Sequence, residues 1–592
     1  MDTSSAESRD RLRRAIDDEI DSSEESTRAL KSRRNALALI SRLPPETLAA
    51  IFSFLSLPER NKEVRYLEWI CVAHVCRQWR ETALSYPRFW SHINFTKLTL
   101  PGIYEILARA KMAPLYLEAD FTRWAWAQPL VDAAEKQIEA HISHTRDLRL
   151  RGPLRSALER LVSSAPTLEF LSLCHMSHPT GHVVIPVDLF NCTAPSLINL
   201  KLENCDISWK SALLKGLRTL KIRDPSKAAR PKLEDWLDAL NEMSQLETLI
   251  FEFATPLASI ASPSSRIITL PSLTKFHITA SAKDCVLAFA HLVLPALIEL
   301  HVDAKSNGIF GTEGEDVREL IPYVTQIVYG LQDAEPLRSI LIDGMTTRAE
   351  VLAWTVPGAD LMYSGPNVSV RTSVPAHFKF VAMGRSWDDG VHAAILDDFF
   401  SHLPVTSIST LTTQNKPKLS KEFWLTHAPK WSLIERATLV PTTVKGFRDM
   451  LAEGTALDGP RLPSLTKLIL VDIMLTMPRA YDLHDMILQR GEQGVPLQDL
   501  DLRKCVADVR AVGLLEGIVV EIQEPLEQHE LTTTEVPAED WHLQGPWDSD
   551  PDEDEDEDED EDDSEGEYDY AGVWGYDDYD DNYMDYDYDY PF

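Results

Sequence analysis

Cysteine is scarce in this chain of 592 residues: there are seven, at positions 71, 76, 174, 192, 205, 285 and 505. None forms a C-x-x-C pair, and so odd and scattered a set excludes a disulfide framework and a zinc ribbon. Long apolar runs are missing as well. The longest, Cys285–Ala290, resumes at Leu292–Leu294 and stops at Pro295, far short of the ~20 residues a membrane-spanning helix needs. The opening stretch Met1–Arg14 is polar and charged, with no apolar core of the kind a secretory signal carries. Lys and Arg are absent from Asp548 to Phe592, where 24 residues are acidic, so the other 547 residues carry only −11 of the formal charge of −35. Nucleic-acid binding needs clustered Lys and Arg and is not expected. The phosphate-loop, dinucleotide, nucleophile-elbow and H-E-x-x-H signatures are all lacking. The chain is therefore expected to be neither an enzyme nor a membrane protein, to take no cofactor, and to reside in the cytoplasm, the nucleus or both.

What is present is enough apolar material (44%) for a sizeable core, with an ordinary charged fraction of 26%. Four textures follow one another. Residues 1–40 are charged and helical in pattern, with Leu12, Ile16 and Ile20 four apart. A lead-in helix is expected there, with a short coiled coil as the alternative. Residues 41–95 form a compact apolar unit. Pro44 and Pro45 suit a first helical turn, Glu46 suits the helix dipole, and Leu48, Ile51, Phe52 and Leu55 make one stripe. A second stripe runs Val72, Val75, Cys76, Trp79, Ala83, and Phe89-Trp90 follow it. Residues 536–592 end in Asp/Glu and Tyr-Asp repeats with very few aliphatic side chains, which predicts disorder. Within that tail, Ser549 and Ser564 sit among acids and are expected substrates of an acidophilic kinase.

Between 96 and 535 a P-x-L-x-x-L-x-L pattern recurs, at Leu168/Leu171/Leu173, Leu197/Leu200/Leu202, Leu217/Leu220/Ile222, Leu246/Leu249/Phe251 and onward to Leu497/Leu500/Leu502. Its 20–29-residue spacing predicts one short strand per repeat, with helical stretches such as Lys232–Met243 and Val317–Leu331 between them. Leu197 through Ile207 and Leu497 through Cys505 resemble the leucine-rich repeat, and that resemblance implies a structural role for Cys205 and Cys505. The expected fold class is α/β: a short helical N-terminal unit, then an irregular leucine-rich-repeat-like solenoid of one strand plus one helix per repeat, then the disordered acidic tail. The pattern is weakest over 340–460.

The apolar unit reads Leu43-Pro44-Pro45-Glu46-x-Leu48-x-x-Ile51-Phe52-x-x-Leu55, then Val75-Cys76-Arg77-x-Trp79-Arg80, then Phe89-Trp90. It resembles the F-box motif in the form common in large fungal families, with a longer connection over Leu57–Ile70. The resemblance implies a module that docks on the S-phase-kinase-associated adaptor, and through it on the cullin, of an SCF-type ubiquitin ligase. Carried over by position, the adaptor-contact candidates are Leu43, Pro44, Glu46, Leu48, Ile51, Phe52 and Leu55, joined by Val75, Cys76, Trp79 and Trp90. The repeats would then hold a protein substrate. The outward positions of the pattern give Asn199, Lys201, Arg218, Lys221, Arg223, Lys275, His277, Glu299 and His301 as candidates for that contact. Two other readings are kept: a repeat scaffold in which the F-box-like unit is only a cap, and a binder of basic, chromatin-type proteins through the acidic tail.

Overall fold

The computed structural model describes residues 3–529, apart from short stretches of which 56–67, 307–313, 358–375 and 453–458 are the longest. The chain divides into two units, Met1–Leu543 and Gln544–Phe592. The second, with the acidic repeats, Ser549 and Ser564, lies outside the described residues. Among the described residues no helix is long and apolar enough to cross a membrane.

The N-terminal helix α1 (Thr3–Ala36) runs without a break through Ser22, Ser23 and Ser26. Leu12, Ile16, Ile20 and Leu30 are all exposed on it. The compact unit then opens with α2 (Pro45–Ser53), which starts on proline where the missing N–H costs nothing. The second stripe is not one helix. Residues Glu68–His74 form a tight 3-10 turn, and α3 (Arg77–Ser85) begins afresh. Between them Cys76 is extended, and its sulfur accepts the Trp79 N–H at 3.5 Å as a cap. The helical spacing of the apolar stripe nevertheless persists across this break.

The remaining described residues build an 18-stranded sheet. Its first nine strands are β1 (His92–Asn94), β2 (Leu115–Asp120), β3 (Thr145–Gly152), β4 (Phe170–His175), β5 (Asn199–Glu203), β6 (Thr219–Arg223), β7 (Thr248–Glu252), β8 (Lys275–Ser281) and β9 (Glu299–Lys305). Each lies parallel beside the one before it. The L-x-L positions of the sequence pattern fall on these strands with their side chains inward. Leu171, Leu200, Leu220, Leu249, Phe276 and Leu300 are all fully buried. Helices α4 (Leu100–Ala110), α5 (Gln128–His141) and α6 (Arg155–Arg160) follow β1, β2 and β3, α7 (Leu233–Glu242) follows β6, α8 (Ala282–Ala290) follows β8, and α9 (Glu315–Gln332) follows β9. Among the described residues, the links from β4 to β5 and from β5 to β6 instead hold 3-10 turns, Leu189–Cys192 and Ala212–Leu214. One helix per repeat therefore holds for most links but not all: between β4 and β5, Phe190, Asn191 and Cys192 take positive φ, which ends helical winding there.

The succession of neighbours changes over 340–460. Strands β10 (Ser339–Met345), β11 (Arg348–Trp354) and β12 (Phe378–Met383) form an antiparallel meander inserted in reverse. Strand β9 pairs with β12, while β10 pairs with β13 (Thr410–Asn415). The parallel succession then resumes through β14 (Arg436–Leu439), β15 (Lys467–Leu475) and β16 (Asp499–Asp508), ending in β17 (Glu521–Gln523) and β18 (Glu527–His529) against β16. Strand β11 has no counterpart in the L-x-x-L-x-L pattern.

Parallel sheets usually have both faces covered. Here β5, β6, β8 and β9 alternate half-exposed and buried residues, so one face is packed and the other is open. Across the meander the open face closes over a second, small apolar cluster of Leu341, Trp354 and Ala376. Cys205 and Cys505 are buried, and their thiols donate to the carbonyls of Glu203 (3.2 Å) and Leu470 (3.2 Å). Burial pushes both thiols up to about 12, which makes them structural and inert.

Candidate functional site

Two surfaces carry the residues singled out from the sequence. The first is built by α2, the 3-10 turn and α3. Its interior is aromatic: Phe52 packs against Trp79 at 5.1 Å between ring centroids, and Trp69 meets Phe89 at 4.6 Å and Trp90 at 5.3 Å in edge-on geometry. The Trp90 indole N–H donates to the Ala83 carbonyl at 2.8 Å, so the ring is buried without an orphaned donor. Arg80 Nε donates to the Ala73 carbonyl at 2.9 Å and ties α3 to the 3-10 turn.

The expected contact residues divide in two. Leu48, Phe52 and Trp90 are interior, and Leu43, Cys76 and Trp79 are half-buried. Pro44, Glu46, Ile51, Leu55 and Val75 are exposed. The apolar stripe of α2 is thus shared between two directions. Leu48 and Phe52 face the core, whereas Ile51 and Leu55 face outward. Phe54, three residues after Ile51, is exposed beside them and was not among the candidates from the sequence. Leu39 and Ile40, just upstream, add further exposed apolar surface.

This unit is continuous with the sheet. Strand β1 pairs with β2, with Ile93 opposite Leu117. The Arg109 guanidinium of α4, the first α-helix after β1, lies 4.5 Å over the Trp90 ring. Residues 40–96 match the model of the F-box-like family. This is an F-box-like domain. Among curated proteins, no match to the chain is found. The matched span begins at the exposed Ile40 and ends just past β1, so the F-box-like domain reaches into the sheet and includes its first strand. The expanded connection falls largely at 56–67, outside the described residues.

The second surface is the open face of the sheet. Strand register brings Arg149, Ser172, Lys201, Lys221, Ile250, His277, His301 and Lys379 into one row across β3 to β9 and β12. Four of these are candidates from the sequence. Arg149 and Lys379 are additions that only the pairing reveals. Arg218 stands just before β6, off the row, paired with Glu247 at 3.2 Å, and Arg223 lies one row further, paired with Glu252 at 2.9 Å. Asn199 and Lys275 occupy the row on the other side, with Glu299 next to Lys275. The Phe170 ring is flanked by two cations, Arg149 at 4.6 Å and Lys201 at 5.3 Å. Arg149 also pairs with Asp147 at 2.8 Å.

The densest cluster on this face is Lys275, His277, Glu299 and His301. One Glu299 oxygen is 2.7 Å from His277 Nε2, 3.2 Å from Lys275 Nζ and 3.4 Å from His301 Nε2. The two imidazoles stack at 3.9 Å. Burial pushes the Glu299 carboxyl up, but the hydrogen bond from His277 and the positive neighbours outweigh it and hold it at about 2. Burial lowers His277, and burial with His277 beside it lowers His301 to about 3. At neutral pH the cluster is therefore a carboxylate between two uncharged imidazoles and a lysine.

Proposed function

We propose that the chain is a non-catalytic, substrate-recruiting subunit of an SCF-type ubiquitin ligase, acting in the cytoplasm or nucleus. The F-box-like domain docks on the S-phase-kinase-associated adaptor and so reaches the cullin. The open face of the sheet, with its leucine-rich-repeat-like strands, holds a protein substrate. The subunit contributes proximity, and the chemistry belongs to other subunits. The observation that carries this reading is the divided stripe of α2. A domain matched to the F-box-like family keeps Ile51, Phe54 and Leu55 at i, i+3 and i+4 on its outside while its aromatic interior is complete. Apolar side chains gathered on the last turn of a helix and the turn beyond it suit a partner surface.

A second reading, in which the F-box-like domain only caps a repeat scaffold, draws support from the β1–β2 pairing and from Arg109 over Trp90. The two make different predictions for a co-precipitation of purified adaptor and cullin with the full chain. Recovery of both partners, with the cullin dependent on the adaptor, supports the receptor. Failure to retain the adaptor at micromolar concentrations of both proteins leaves the cap.

A further inference from the structure

We propose that His277, Glu299 and His301 form a binding site for a divalent transition-metal ion of the zinc type, open to one further ligand on the exposed face of the sheet. The inference is independent of adaptor docking. Its geometry follows from the strand register. His277 on β8 stands opposite His301 on β9, and Glu299 precedes His301 by two residues, so all three side chains leave the same face. One donor atom from each lies within 4.8 Å of the other two. Ligands of a tetrahedral zinc ion, at bond lengths of about 2.0–2.2 Å, stand roughly 3.3–3.5 Å apart. The separation of His301 Nε2 from Glu299, 3.4 Å, already meets that value. The 2.7 Å separation of His277 from Glu299 opens to it by a small turn of either side chain.

The donor set decides the class of ion. Two imidazoles and one carboxylate suit zinc and its neighbours, whereas calcium and magnesium prefer oxygen alone. Three protein ligands with side chains about a fifth exposed leave a coordination position toward solvent, as in sites that bind water or a partner's side chain. Two groups compete with the ion. Lys275 Nζ holds the same Glu299 oxygen at 3.2 Å, and the Ala376 carbonyl accepts from His301 Nε2 at 2.9 Å. The ion must displace the first, and His301 must exchange the second for the metal. Lys221 and Lys379 flank the histidines in the same row and add repulsion. Affinity is accordingly lower than in a closed four-ligand structural site.

The test is a cobalt(II) titration of the full chain followed by visible absorption, with zinc(II) added back as competitor. Carboxylates of the acidic tail bind cobalt in pale, octahedral, hydrated form, so intense visible bands report a site of low coordination number. The expected result is one equivalent of such a spectrum, displaced by zinc. It should be abolished in His277→Ala and His301→Ala and weakened at least tenfold in Glu299→Gln. Circular dichroism establishes that each variant remains folded. Lys275→Ala removes a competitor and should tighten binding severalfold, a gain that misfolding cannot imitate. A wild-type chain without the intense bands, bands that survive in both histidine variants, or a Lys275→Ala variant that binds no better would each overturn the site.

Discussion

Replacing Ile51 and Leu55 together by aspartate should separate adaptor binding from folding. Ile51 is 43% exposed, Leu55 41%, Phe54 57% and Val75 57%. If a partner covers what remains open on these four, the area equals that of about two whole side chains, or ~3–6 kcal/mol at the usual value for aliphatic and aromatic burial. Ile51 and Leu55 supply a little under half of it, ~1–3 kcal/mol. Two carboxylates in their place must also be stripped of water on docking, which costs several further kcal/mol. A weakening of at least ~100-fold is expected, since each 1.4 kcal/mol is tenfold in affinity. Leu48 is the control, being fully buried. Leu48→Ala should cost ~2–5 kcal/mol of stability and weaken adaptor binding only as far as it unfolds the domain. The assay is calorimetric titration of purified adaptor into each full-length variant, beside a thermal melt read by near-ultraviolet dichroism. An Ile51→Asp/Leu55→Asp chain that is folded and binds within threefold of wild type would refute the assignment of this face.

Three further outcomes follow from the fold. The helix Pro441–Ala452 contains Gly446, where alanine would ordinarily add up to ~1 kcal/mol of helix stability; a Cβ there would meet the Leu419 carbonyl oxygen at 2.7 Å, so Gly446→Ala should lower the melting temperature. Arg490 is buried and donates to the carbonyls of Arg461, Leu462 and Leu465, so Arg490→Met, which takes a charged donor from each (the Leu462 carbonyl keeps the Leu465 N–H), should cost ~2–3 kcal/mol in chemical denaturation, with little loss meaning that water reaches them. Burial pushes the Asp343 carboxyl up to about 6, against the hydrogen bond from Asn415 and helped by Glu350 beside it. A raised carboxyl favours the folded state below its unfolded value near 3.9 and loses that advantage as pH rises through about 6. Asp343→Asn keeps the acceptor for Asn415 and should stabilise the chain by up to ~3 kcal/mol at pH 7.5, with the gain vanishing below pH ~4. A gain independent of pH would show that charge is not its source.

The strands were legible because their side-chain period is two and their inward positions are leucine, isoleucine, valine or phenylalanine. Leu200 and Leu202, or Leu500 and Leu502, can face only one way in a strand whose other face carries charge. The helical stripe of α2 was less decisive. Leu48, Ile51, Phe52 and Leu55 share one broad side, and nothing local says which part of that side meets the protein's own core and which a partner. The break at Cys76 leaves no mark in the sequence, because an extended capping residue keeps the apolar spacing on either side intact. Strand β11 was hidden for another reason. Its place depends on β12 pairing with β9, a choice made between distant segments. The approach of His277 to His301 was half visible: both were marked as outward positions, but only the register puts them opposite each other.

The reversed meander bears on how the chain acquires its structure. Strands β1 to β9 can be added one after another as they are synthesised, each on the edge left by the last, with short loops to close and little entropy lost at each step. At β9 this growth halts. The next strand to emerge, β10, does not belong there, and Leu300 must wait for Phe378. Until then β9 is a free parallel edge, and β10 to β12 must first assemble among themselves. The junction therefore marks a kinetic boundary between two cooperative segments, where a growing chain is most exposed to mispairing and to chaperone capture.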